Sequence, residues 1–232
     1  MNSSRGAAGS NAQPARRATS ERTSARILDA AHRLFNEQGT SAVSTNHIAA
    51  AADLSPGNLY YHFKHKREII RALFARYAEA HEDLWEPGPD AGENLAKLRE
   101  NMASGLRAIW EYRFFEREIL TLLRADPELR AAYVEVYHRR LGEWGAFIEL
   151  LVAQRMMRPP RPPRTLHDLV LALWLVAGSW LAFLDVTGDP RDPAQVAKGA
   201  DLLTVIFDPY LSAEGRRRFA TPEPGTSAKE HK

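Results

Sequence analysis

The sequence predicts an all-α chain: a three-helix head containing a helix-turn-helix, then a larger helical body, about nine helices in all. Three observations carry this. Apolar residues recur at spacings of three and four along nearly the whole chain, and no stretch alternates as a half-buried strand would. Residues 44–66 divide into two short helices around a tight turn. Leu169 to Leu184 is a charge-free apolar run bounded by Asp168 and Asp185, the pattern of a helix buried on most sides.

Residues 1–22 are rich in Ser, Ala, Asn and Arg without apolar periodicity, and are expected to form a disordered basic arm. A helix is predicted from Thr23 to Gln38, with Ile27, Leu28, Ala31, Leu34 and Phe35 at helical spacing and Gly39 as its stop. Ser44 or Thr45 caps the next helix, whose narrow apolar stripe is Ile48, Ala49 and Ala52. Asp53-Leu54 makes the turn, with Leu54 inward. Ser55 caps the third helix, Pro56 sits where its missing N–H costs nothing, and Leu59 and Phe63 share one face. Tyr60 and Phe63 are assigned to the buried side by their spacing.

A fourth helix should begin near Lys66 and run to Trp85, where Pro87-Gly88-Pro89 breaks it. The body follows with helices through Leu95 to Ile109, from Tyr112 to Leu123, and from Pro127 to about Met157. The last of these is long enough to be bent or split at Gly142 or Gly145. Pro159 to Pro163 reads as an extended loop. Two final helices, Thr165 to Val186 and Pro193 to about Tyr210, close the fold. The expected limits are 23–68 for the head and 69–212 for the body, with 213–232 a disordered tail.

With 232 residues, 44% of them hydrophobic, the chain can bury a substantial core. It contains no cysteine, which excludes disulfides, thiolate catalysis and cysteine metal sites. The start lacks the apolar core of a signal peptide, so a cytoplasmic location is expected. The apolar run 169–184 is shorter than the roughly 20 residues of a membrane span and lacks basic flanks, so no membrane is expected. Net charge is +2, but residues 1–66 hold eight basic side chains against four acidic ones, leaving −2 for the rest. A basic end on a mildly acidic body suits a module that meets a polyanion at one end.

The third helix carries Gly57, Asn58, Tyr61 and His62 opposite its apolar face, so it is shaped to enter a DNA groove. Asn58 can pair with an adenine edge, and Gly57 allows the backbone close to DNA. Tyr61 and His62 have polar tips that reach phosphate. Thr45 and Lys66, each at a helix start, are placed for phosphate as well. His62 and His65 have no third ligand near them, so no metal site is expected.

The segment Ile48-Ala49 through Ser55-Pro56-Gly57-Asn58-Leu59-Tyr60-Tyr61-His62-Phe63-Lys64-His65-Lys66, with the preceding helix that stops at Gly39, resembles the DNA-binding signature of the tetracycline-repressor (TetR) family. The match covers roughly residues 24–72. It implies DNA contacts by Thr45, Gly57, Tyr61, His62 and Lys66; the position of Asn58 varies in the family. The resemblance also implies a homodimer, a palindromic operator and a small-molecule effector sensed between central helices.

The residues suit both expectations. Leu166, Leu173, Trp174, Ala177, Leu181 and Leu184 lie along one of the last two helices, and Val196, Ala200, Leu203, Phe207 and Tyr210 along the other. Two copies of this pair would make a four-helix bundle, although the same stripes could instead serve the internal core. The aromatics Trp110, Phe114, Phe115, Tyr137, Trp144, Phe147 and Trp174 are either ordinary core or the lining of an apolar effector cavity. A run of residues 110–129 also resembles the effector domain of one TetR subgroup. No motif of an enzyme is present: no phosphate loop, no nucleophile elbow, no zinc-protease motif. Glu116 and Glu118 read as a solvated helix face, and no cofactor is expected. Repression and activation use the same head, and both stay open at this point.

Overall fold

Helix follows helix, as the spacing requires. The computed structural model describes residues 12–80, 85–190 and 192–220, with side chains from residue 17 onward. These form α1 (Ala12–Gln38), α2 (Thr45–Ala51), α3 (Pro56–His62), α4 (Lys66–Glu79), α5 (Ala91–Glu111), α6 (Arg113–Ala125), α7 (Pro127–Ala153), α8 (Leu166–Thr187), α9 (Pro193–Phe207) and α10 (Ala213–Ala220). A 3-10 turn, Asp208–Tyr210, follows α9. The described residues fall into two compact units that divide between Arg76 and Tyr77, within α4.

Both expected tails need correction. Helix α1 begins at Ala12, so residues 12–22 are helical rather than disordered, while 1–11 lie outside the described residues. The reason is local: Ala, Arg, Gln and Glu dominate this stretch, Pro14 falls in the first turn, and Arg17 pairs with Glu21 one turn on at 3.2 Å. At the other end, residues 213–220 form α10, and 221–232 lie outside the described residues. Phe219 stacks edge-on against Phe207 at 5.0 Å, and Gly215 lies so close to the Met156 carbonyl that no Cβ would fit. Tertiary packing therefore holds a segment whose polarity alone reads as frayed.

In the first unit, α1, α2 and α3 close over Ile27, Phe35, Ile48, Leu59, Ile69 and Leu73, all nearly sealed from solvent. Gly39 ends α1 at φ 78°, donating its N–H to Phe35 O at 2.9 Å, as a left-handed helix stop requires. Ser44 caps α2 in a capping box with His47, and Ser55 caps α3 ahead of Pro56. Asp53 takes the left-handed turn conformation at φ 53° between them. Tyr60 is not on the buried side as its spacing suggested; it is 42% exposed.

In the second unit, α8 packs against α5, α6, α7 and α9. Its Leu169, Val170, Leu173, Ala177, Leu181 and Leu184 are buried. Helix α7 is continuous through Gly142 and Gly145, with no split. Trp85 lies in a turn, buried, and not on α4, which ends at Glu79. An isolated antiparallel bridge, Met157 to Leu211, ties the segment after α7 to the segment after α9.

Candidate nucleic-acid interface and effector core

The core of the first unit decides which face of α3 is left over. Leu59 is fully buried, so Gly57, Asn58 and Tyr61 turn outward, all exposed and Tyr61 75% so. A Cβ on Gly57 would meet nothing within 4 Å. Ser55 Oγ takes the Asn58 backbone N–H at 3.2 Å, which fixes the start of α3, and Asn58 itself is exposed.

The other predicted contacts are partly occupied within the head. Thr45 Oγ1 and Tyr60 OH share a hydrogen bond of 2.9 Å, tying α2 to α3 on the exposed side. His62 is half-buried, and its Nδ1 meets Ser24 Oγ of α1 at 3.0 Å, so one ring nitrogen is committed. Lys66 differs most from expectation. Its ammonium donates to Thr40 O at 2.5 Å and Val43 O at 2.8 Å, clamping the α1–α2 connection onto the start of α4. Arg26 does the same for the α2–α3 turn, donating to Ala52 O at 2.6 Å. Neither clamp was legible in sequence, because each joins residues 23 to 26 positions apart.

The aromatics predicted as a cavity lining separate into three groups in the second unit. Trp110 lies under the Arg113 guanidinium, 4.7 Å from ring centroid to carbon. Phe114 and Phe115 are fully buried, and Phe115 packs beside Tyr77 and Tyr133. Tyr137, Trp174, Trp144, Trp85 and Phe147 form a chain of edge-on contacts between 5.1 and 6.0 Å. A cavity of about 20 Å³, all apolar, adjoins that chain; Trp85, Leu98, Met102, Trp144 and Phe207 are among its walls. It has room for about one water. Of the seven predicted residues only Trp144 lines it.

Glu116 was expected on a solvated face, and the structure buries it at 8% exposure. Its Oε1 accepts from Tyr77 OH at 3.1 Å. Loss of solvation raises its carboxyl to about 7, partly offset by that hydrogen bond. Burial, with the Glu116 charge added, also raises the hydroxyls of Tyr77 and Tyr133. A partial signal was present: Glu116 lies about one turn after buried Tyr112 and directly follows buried Phe115 on α6.

The stripes assigned to dimerisation also need correction. Leu173, Ala177, Leu181, Leu184, Leu203 and Phe207 face the core of their own chain. The apolar residues that α8 leaves exposed are Leu175 (57%), Phe183 (56%) and Val186 (85%), joined by Val205 (69%) of α9. On α8 they recur at helical spacing on the side away from the core.

The family model of bacterial regulatory proteins, tetR family, matches residues 27–73, and that of the TetR bacterial transcriptional repressors matches residues 76–219. The chain belongs to the TetR family. TetR-family regulators bind DNA and small-molecule effectors and act as dimers. The chain is similar to the transcriptional regulator UidR of Escherichia coli K12, 37% identical over 134 residues, 58% of this chain and 64% of that one. It is 35% identical over 88 residues to the class D tetracycline repressor of Escherichia coli, 38% of this chain. That match spans about two fifths (39%) of the repressor's length. Among solved structures, a TetR-family regulator from Marinobacter aquaeolei VT8 aligns with a TM-score of 0.75 at 32% identity, covering 85% of this chain and 95% of that one. The TetR assignment therefore covers both units.

Proposed function

We propose that this TetR-family chain is a cytoplasmic, ligand-responsive repressor that binds a palindromic operator as a homodimer and is released by a small apolar or aromatic effector. The observation that carries the reading is the outward face of α3, where Gly57, Asn58 and Tyr61 stand exposed on a rigid, doubly capped frame. Gly57 brings the helix backbone close to DNA, Asn58 reads a base edge, and Tyr61 reaches phosphate or a thymine methyl. Thr45 adds a hydroxyl at the start of α2, and His62 its second ring nitrogen. Lys66 acts mainly by holding the frame.

Two heads spaced by roughly one helical turn of DNA, 34–36 Å or a multiple, would read the two halves of a palindrome. The exposed apolar stripe of α8 with Val205 of α9 supplies a surface for pairing two copies. The aromatic chain around Trp144 and Trp174 supplies an effector region, and effector binding would act through α4 as a population shift.

The test is selection of bound genomic DNA followed by titration of the selected site. Tyr61→Ala should weaken binding of all sequences, and Asn58→Ala should change base preference at one position per half-site. Unchanged binding by both variants would remove the assigned interface.

A further inference from the structure

The second unit contains a carboxylate that the fold has enclosed without giving it a cation. Glu116 on α6 is more than nine-tenths buried. Its hydrogen bond comes from the neutral hydroxyl of Tyr77, and among the described residues no Lys, Arg or His forms an ion pair with it. The contrast lies one residue away: Arg117 Nε stands 2.6 Å from Asp185 Oδ2, a pair close in distance though not aligned as a hydrogen bond.

The groups facing Glu116 come from three other helices. Helix α4 presents Tyr77. Helix α7 presents Tyr133, while its Arg140, with the guanidinium anchored on Ala78 O at 2.5 Å, acts on Tyr77 less than Glu116 does. Helix α8 presents Gly178, and Trp174 of the same helix hydrogen-bonds Tyr133. A Cβ on Gly178 would stand 3.5 Å from Glu116 Oε2, an ordinary contact distance, so α8 lies close to the carboxylate on that side. Tyr77 also packs on Tyr112 at 5.1 Å, and Trp174 on Tyr137 at 5.5 Å.

We propose that Glu116, flanked by Tyr77 and Tyr133 with Trp174 next to Tyr133, anchors the charged group of an organic cation, an amine or quaternary ammonium carried on an aromatic or alkyl body. The inference deepens the effector reading above and rests on it. A buried carboxylate is costly until it is neutralised by a proton or a cation. Aromatic faces attract a cation through their quadrupoles and do not attract an anion. A metal ion would need further ligands, and no group of three metal-binding side chains occurs among the described residues. The body of the ligand would lie along Trp174, Tyr137 and Trp144, toward the small apolar cavity. Trp174 and Tyr137 are only half-buried, so they can turn to admit it. Displacement of Tyr77 from Glu116 would act on α4, the helix that also carries Lys66.

The experiment is calorimetry and tryptophan fluorescence on the full chain with three probes: benzyltrimethylammonium, phenethylammonium and tetraphenylphosphonium. Neopentylbenzene, the neutral carbon isostere of the first, is the control. Saturable binding of at least one cation is expected. Its affinity should fall about tenfold or more in Glu116→Gln, as loss of a desolvated charge pair implies. Wild-type affinity should also rise from pH 6 to pH 8, and this rise should vanish in the variant, a readout that packing alone would not move. The proposal is overturned if none of the three cations binds, if neopentylbenzene binds as tightly as its cation, or if Glu116→Gln leaves cation affinity unchanged. Operator binding without ligand is measured separately. A chain that binds operator but no cation loses this proposal alone, whereas one that binds no DNA loses the regulator reading.

Discussion

Replacing Lys66 with Met keeps the aliphatic stem and removes the ammonium, so it isolates the clamp on Thr40 O and Val43 O. Those two bonds, at 2.5 and 2.8 Å, are charge-assisted, and Thr40 and Val43 are buried residues. Each such bond contributes about 1.5–3 kcal/mol net, and an unmet buried carbonyl costs a similar amount. Lys66 is half-buried, so water recovers part of the loss. The expected destabilisation is about 2–4 kcal/mol, confined to the first unit. Urea unfolding followed by circular dichroism gives the total, and hydrogen exchange over residues 39–52 locates it. Operator affinity should fall with head stability, while the slope of log affinity against log salt stays near wild type. A phosphate-contacting lysine would behave oppositely, with stability unchanged and a slope reduced by about one. That second pattern would refute the clamp.

Three further outcomes follow from particular contacts. Glu116 has a folded-state carboxyl raised to about 7 from 4.5, so its contribution to stability is fully present below pH 4.5 and lost as pH rises through 7. Wild type should therefore lose about 3 kcal/mol more than Glu116→Gln between pH 4.5 and pH 8 in urea titrations, and equal losses would contradict the burial argument. Gly215→Ala places a Cβ against the Met156 carbonyl, so α10 should detach. The cost is about 1–3 kcal/mol, visible as faster proteolysis after residue 212, and a resistant variant would show that the backbone shifts freely. Leu175→Glu with Phe183→Glu puts charge on the exposed stripe of α8, and light scattering should report a monomer with unchanged helicity; a persistent dimer would move the interface elsewhere.

Much of the site was legible because it is local. The caps Ser44 and Ser55, the stop at Gly39 and the outward positions of Gly57, Asn58 and Tyr61 follow from short spacings along single helices. Glu116 could have been placed by its spacing from Tyr112, about one turn earlier, but its charge argued for solvent. Spacing puts Tyr60 on the buried side, but it is 42% exposed and its hydroxyl meets Thr45 Oγ1.

The sequence by itself determined an all-α chain with a TetR-type head and an apolar helix, α8, in the C-terminal third, since periodicity, caps and breakers act within a few residues. Only the tertiary structure decided which apolar stripe of α8 is core and which is left exposed. It alone committed Lys66 and His62 to the frame of the head and brought Tyr77, Glu116, Tyr133 and Trp174 together. The physical reason is that a helix has several faces of similar character in sequence. Which face is buried depends on neighbours dozens of residues away, and the desolvation of Glu116 exists only once they have closed around it.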